Sequence, residues 1–374
     1  MVYVLVNNNY HIIDLEKYKG WEDGEEVVLI RVPHTLDLQG AYQHSFTKIL
    51  TYKSPIKGVK SLLAFKTIKK TLALISEELK PGKKDVLVFF TEFEILNQYI
   101  VKMFKDAGSR VIMLEDGMAT VALGNMEAEK LPFKYWLYRA VLRTVYQFKT
   151  LDLVMAKGMP PLPVMEDKYI DAIGLSIKSP FKRNIPVYQL KASETILTSP
   201  DENAIIFINQ DLYKLGHISL SDYIEILRQA LSVLSANFTT VYFKFHPREE
   251  TGVREEIKKM ADTFRNVTLI NDFRSPVENQ VEELRPGYSA SFYSNSLRSL
   301  YFKGIEPFFL FHLLPGLKNT AIGGLLGQYL DHIGYNFIGS FAEMAPGYKC
   351  GIRLEEKGVT LNELINGTGN KERI

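Results

Sequence analysis

Short apolar runs with no regular polar face constrain this chain most. They are VYVLV (Val2–Val6), VVLIRV (Val27–Val32), DVLVFF (Asp85–Phe90), RVIML (Arg110–Leu114), AIIFI (Ala204–Ile208) and VYFKF (Val241–Phe245). A strand with one wet face alternates apolar and polar side chains; these do not, so both faces need cover. Helical patterns lie between them, over residues 58–80, 92–107, 221–236 and 255–264. Apolar strands separated by helices predict parallel sheets packed on both sides. Weaker strands are expected at 48–52, 267–270, 288–292 and 307–311, and Leu151–Met155 is expected to close the first half.

The rhythm stops and restarts. MPPLPV (Met159–Val164) and the polar SPFKRNIP (Ser179–Pro186) interrupt it, which predicts a boundary within residues 180–200. With 374 residues there is length for two domains, 1–190 and 191–374. The expected class is α/β, with two Rossmann-like domains built on parallel sheets. A formal net charge of +2 argues against a dedicated nucleic-acid binder. The single cysteine, Cys350, excludes an internal disulfide and fits a reducing compartment. MVYVLVNNNYH has no basic lead and too short an apolar run for a signal peptide, and no run suits a membrane span. A cytoplasmic location is therefore expected.

Ligands of open α/β sheets bind beyond the carboxyl ends of the strands. His246 follows VYFKF and precedes Pro247, which keeps it out of the helical region and fixes its ring direction. A protonated imidazole there could donate to a leaving phosphate. Lys244 shares its strand face. In LEDG, Glu115 and Asp116 end a strand and Gly117 allows a turn; one carboxylate could take a proton from a hydroxyl. Ser294, Asn295 and Ser296 open a helix where backbone N–H groups and hydroxyls suit phosphate. Glu278, in PVENQVEEL, could bind ribose hydroxyls, and Asn209 and Gln210 end AIIFI where amides could meet a donor. Taken singly, each has a plain structural reading: a strand-end histidine, an acidic turn, an N-cap, a solvated helix face.

Their order is more informative. An acidic pair with glycine, then His-Pro, then a serine cluster resembles the bacterial sialyltransferases that carry D/E-D/E-G, HP and Ser-Ser/Thr motifs. Lipooligosaccharide, capsular and polysialic acid transferases belong to that superfamily, and more distant relatives transfer Kdo. The resemblance spans about residues 85–300, through short motifs only. It implies the B-type glycosyltransferase fold, two Rossmann-like domains facing across a cleft. The N-terminal domain would hold the acceptor and the C-terminal domain a CMP-activated nonulosonic acid. It implies Asp116 as general base, with Glu115 as alternative, and His246 of the His246-Pro247 motif as general acid or phosphate ligand. Lys244 would lie near the nucleotide, Glu278 on the ribose, and Ser294 to Ser296 on the phosphate. The family's adjacent Ser-Ser/Thr pair is interrupted here by Asn295. Either Ser294 with Asn295 or Ser294 with Ser296 would then bind.

No Asp-x-Asp pair stands out, and no cofactor or metal is expected: the CMP-sugar is a co-substrate. CMP-Kdo transfer, or a non-catalytic glycan- or nucleotide-binding role in capsule assembly, is the alternative. Acceptor recognition would fall around Asn7–His11, Pro33–His44 and Lys130–Lys149. The last stretch, KLPFKYWLYRAVLRTVYQFK, has five basic residues, no acidic one and many aromatics. It could lie on an anionic membrane surface and meet a lipid-linked glycan, or pack on the first sheet with its cations snorkelling.

Overall fold

The computed structural model describes residues 1–18, 21, 25–33, 46–55, 64–117, 120, 130–155, 161–177, 182–191, 196–216, 218–272, 275–352 and 358–368. The chain divides into two compact units: Met1–Ser193 with Leu354–Ile374, and Glu194–Arg353.

The first unit holds β1 (Val2–Val6), β2 (Val27–Arg31), β3 (Lys48–Thr51), β4 (Val86–Phe89), β5 (Arg110–Leu114), β6 (Leu151–Val154), β7 (Leu162–Met165), β8 (Ala172–Leu175) and β9 (Val187–Gln189). Seven of them form one sheet in the order β3-β2-β1-β4-β5-β8-β9. Every pairing in it is parallel. This is the doubly wound order, with its switch point between β1 and β4. The fully apolar runs occupy the centre: Val4, Leu5, Val6, Leu87, Val88, Phe89 and Ile112 are all buried. The helices are α1 (Asn9–Tyr18), α2 (Phe65–Glu78), α3 (Ile95–Asp106) and α4 (Phe133–Thr144).

Two expectations change here. Leu151–Met155 does not close the main sheet; β6 pairs antiparallel with β7 in a separate two-stranded sheet. The Pro-rich run thus ends in a strand of a two-stranded sheet, where both strands are edges and Pro163, which has no N–H to donate, is tolerated. The sheet is instead completed by β8 and β9, the latter inside the stretch expected to be linker. Gly174 explains the first: a Cβ there would sit 2.8 Å from Leu190 and 2.9 Å from Leu114, so glycine permits close strand packing.

The second unit restarts the pattern with β10 (Asp201–Ile208), β11 (Thr240–Lys244), β12 (Val267–Ile270), β13 (Pro286–Ser291) and β14 (Glu306–Phe309). Its sheet runs β12-β11-β10-β13-β14, again all parallel, with the switch point between β10 and β13. Its helices are α5 (Leu220–Asn237), α6 (Thr251–Ala261), α7 (Val277–Leu284), α8 (Ser296–Phe302), α9 (Pro315–Lys318) and α10 (Ala321–His332). Ser219 caps α5 by accepting the Asp222 N–H at 3.1 Å.

The stretch expected to end the second domain instead returns to the first unit. There α11 (Leu361–Asn366) starts with a Thr360/Glu363 capping box and stops at Gly367, whose φ is 71°. Leu361, Leu364 and Ile365 join the core cluster formed by Val4, Val6, Ile112 and Leu190. Leu190 also bridges Val359. Apolar burial, which sequence position does not reveal, decides the membership of this helix.

Candidate active site

Both units offer chemistry at the carboxyl edge of their sheets. In the first, β5 ends at Leu114 and Gly117 takes φ 63°, the left-handed turn that glycine allows. The two carboxylates separate as expected. Glu115 is 2 % exposed; its Oε1 accepts the Ser176 backbone N–H at 3.0 Å and the Ser176 hydroxyl as well. It therefore ties the end of β5 to the end of β8. Asp116, 22 % exposed in its side chain, lies 3.1 Å from the Nε2 of His11. Its backbone N–H donates to Thr120 Oγ1 at 2.7 Å.

His11 belongs to the first turn of α1. Asn8 starts that turn by accepting the His11 N–H at 3.1 Å. Asn7 is bracketed by Val32 O at 2.9 Å and by Asn97, whose amide donates to it at 2.8 Å. The ends of β1, β2 and the start of α3 are thereby tied together. The ring of His11 stacks on Phe90, just beyond β4, with centroids 4.4 Å apart. Side chains from beyond β1, β4 and β5 thus meet at the switch point. Pro33 is described, but the rest of the Pro33–His44 stretch, expected to help recognise an acceptor, lies outside the described residues.

In the second unit His246 follows β11. Pro247 is the second residue of a turn closed by the Glu249 N–H on His246 O at 3.0 Å. The His246 Nδ1 lies 3.3 Å from Asp211 Oδ1 and accepts the Arg248 N–H at 3.3 Å. Burial holds the imidazole below its ordinary value; Asp211 opposes this, and Arg248 and Lys214 add to it. Nδ1 thus faces a carboxylate and an N–H donor at the same distance; in the protonated ring Nδ1–H donates to Asp211 and Nε2–H is left to donate elsewhere.

Asn209 is not aimed outward. It is 1 % exposed; its amide donates to Glu249 at 2.8 Å and accepts the Tyr223 hydroxyl at 2.8 Å. Tyr213 donates to the same Glu249 at 3.1 Å. Burial raises the carboxyl of Glu249. This buried group anchors the His-Pro turn from below. Gln210 bridges the switch point, accepting the Tyr293 N–H at 2.7 Å and the Ser291 hydroxyl at 3.2 Å.

Lys244 and Glu278 form a second group. Lys244 is 4 % exposed, and its ammonium donates to Asp272 O at 3.0 Å. Burial pushes it down to about 8, against the pull of Asp272 and Glu278. Glu278, in the first turn of α7, is 3 % exposed, so it is no solvated helix face. Ser294 accepts the Ser296 N–H at 3.3 Å at the start of α8, and Asn295 makes no side-chain capping bond. The site residues absent from the sequence expectations are His11, as a partner of Asp116, and Asp211. Each is a common residue type whose partner is remote in sequence, so no local signal marks it.

The profile of the alpha-2,8-polysialyltransferase (POLYST) family matches residues 4–307. The chain belongs to that family and is a glycosyltransferase of the sialyltransferase type. No curated protein matches it by sequence. Among solved structures it is similar to a protein assigned as a UDP-N-acetylglucosamine 2-epimerase from Listeria monocytogenes. The identity is 8%, over 83% of this chain and 78% of that one, with a TM-score of 0.47. It is also similar to the B-type domain of a sialyltransferase from Photobacterium damselae, at 13% identity over 87% and 96% of the two chains, TM-score 0.46. Anabaena Alr3699/HepE, solved with UDP, matches at 9% identity over 98% and 89%, TM-score 0.42. Likenesses of this size say nothing about substrate.

Proposed function

We propose that the chain moves a nonulosonic acid, sialic acid or a relative such as pseudaminic or legionaminic acid, from a CMP-activated donor to a glycan hydroxyl. The transfer inverts the anomeric carbon and needs no metal. One observation carries this reading: each of two Rossmann-like sheets holds an ionisable pair at its carboxyl edge, Asp116 with His11 and His246 with Asp211.

In this reading Asp116 accepts the proton of the acceptor hydroxyl as its oxygen bonds to the anomeric carbon. The bond from that carbon to the phosphate oxygen breaks, and its electron pair leaves with CMP. The transition state is oxocarbenium-like, so relief of charge on the leaving phosphate lowers the barrier. His246 donates to that phosphate through Nε2–H. Ser294, Asn295 and Ser296 add donors, Lys244 adds a charge, and Glu278 receives ribose hydroxyls. Pro247, Asn209 and Gln210 hold the loops that carry them. Glu115, engaged by Ser176, holds the strand end instead of serving as base.

The acceptor is a surface or capsule glycan, lipid-linked, met at the inner face of the cytoplasmic membrane. Among the described residues no helix is long and apolar enough to cross a membrane. Support for a peripheral contact comes from α4, where Phe133 is 74 % exposed and stacks on Trp136, itself 49 % exposed.

The test is transfer from CMP-N-acetylneuraminic acid, CMP-pseudaminic acid, CMP-legionaminic acid and CMP-Kdo, each with and without EDTA. Asp116→Ala and His246→Ala should each lower turnover by about 10²–10⁴-fold with the fold intact by circular dichroism. Near-wild-type turnover in either, transfer from CMP-Kdo alone, or loss with EDTA would overturn it.

A further inference from the structure

We propose that His11 is the positioning residue of Asp116, a neutral imidazole that fixes the carboxylate and favours its ionised form. This rests on Asp116 being the general base. His11 is fully buried, a costly place for an imidazole unless both nitrogens are used. Nδ1 accepts the Asn7 backbone N–H at 3.2 Å. An imidazole cannot accept at both nitrogens, so Nε2 carries the proton and donates to Asp116 Oδ1 at 3.1 Å. In that tautomer Asn8 Nδ2, 3.2 Å from Nε2, is a neighbour without a bond to it. The ring cannot swing away: Phe90 stacks on it with the planes 12° apart, and Asn7 is itself held by Val32 and Asn97.

The effect on Asp116 follows from the sign of the interaction. A hydrogen bond donated to a carboxylate stabilises the charged form and lowers its pKa. The base is thereby kept ionised further into acid, and its orientation is set before substrate arrives. The other ionisable groups on the neighbouring elements are Glu115, bound to Ser176, Glu92, paired with Arg183, and Asp14, buried one turn along α1. The variants below separate the part of the pH profile that His11 sets from the part these groups set.

The test compares His11→Met and His11→Gln with wild type and Asp116→Ala, in pH profiles of kcat and kcat/KM. The Met variant fills the space without donating; the Gln variant keeps an N–H donor. His11→Met should lose about 10- to 100-fold in kcat, the size that supporting partners of functional groups give. Its acid limb should move to higher pH, with donor KM unchanged. His11→Gln should recover most of the rate and the limb. Loss of rate without a shifted limb, or wild-type behaviour of the Met variant, would overturn the role of His11 while Asp116→Ala stays inactive. If His11→Met fails to fold, the Gln variant decides: an acid limb shifted as far as a lost donor implies would overturn it. Turnover by Asp116→Ala would instead overturn the reading of the base itself.

Discussion

At the scale of single residues, the two sites use burial in opposite ways. His11 and Asn209 are buried because they hold something else, and Lys244 is buried with its charge at stake. Its ammonium is pushed down to about 8, so it is charged at neutral pH and loses its charge as pH rises through that value. Donor affinity should therefore fall above about pH 8 in the wild-type protein. Lys244→Arg keeps its charge at all these values and should give a flat profile over the same range. Calorimetric titration of CMP from pH 7 to 9.5 measures it; an unchanged wild-type affinity would remove Lys244 from the donor site. Asp116 and His246 could be singled out as candidates in the sequence because a glycine turn and a proline turn mark them locally. His11 entered only as the end of a stretch expected to meet an acceptor, and Asp211 not at all, because their partners lie 105 and 35 positions away. Asn209 shows the converse: a strand-end amide looked outward in sequence, yet Tyr223 and Glu249 occupy it.

Among elements, α4 separates two readings that the sequence left open, and it supports part of each. Arg139 pairs with Asp152 of β6, and Arg143 with Glu166, so these cations are spent inside the unit. Tyr138 and Leu142 are buried beneath them. Phe133, Trp136 and Leu137 remain on the outside, and Lys130, Lys134 and Lys149 are exposed as well. Exposed aromatic and basic side chains of this kind suit an anionic interface. The double variant Phe133→Ala, Trp136→Ala should lose most binding to vesicles of phosphatidylglycerol in a sedimentation assay, with little change in stability. Equal binding by the variant would discard the peripheral contact. The strongly apolar strands were legible because their composition alone demands cover on two faces. β8 and β9 were not: AIGL and VYQ are too short to carry a periodicity, and it is pairing of β8 with β5 and with β9 that makes them strands.

For the whole molecule, the return of α11 to the first unit has the largest effect. Leu361, Leu364 and Ile365 are buried there, each contributing about 1.5–3 kcal/mol at full burial. That sum is comparable with the whole stability of a typical domain, about 5–15 kcal/mol. Removing residues 358–374 should make the first unit sensitive to protease and open it to hydrogen exchange, while the second keeps its protection. Equal protection in both units would show that α11 is dispensable. The sequence pattern could not reveal this, since a six-residue amphipathic helix fits either core. Synthesis on the ribosome gives the arrangement a temporal meaning. The strands and helices of Glu194–Arg353 all emerge before Leu361, so the interrupted unit must wait for its interruption to be made. The nascent chain would own a finished second unit while the first, begun earlier, was still unsealed.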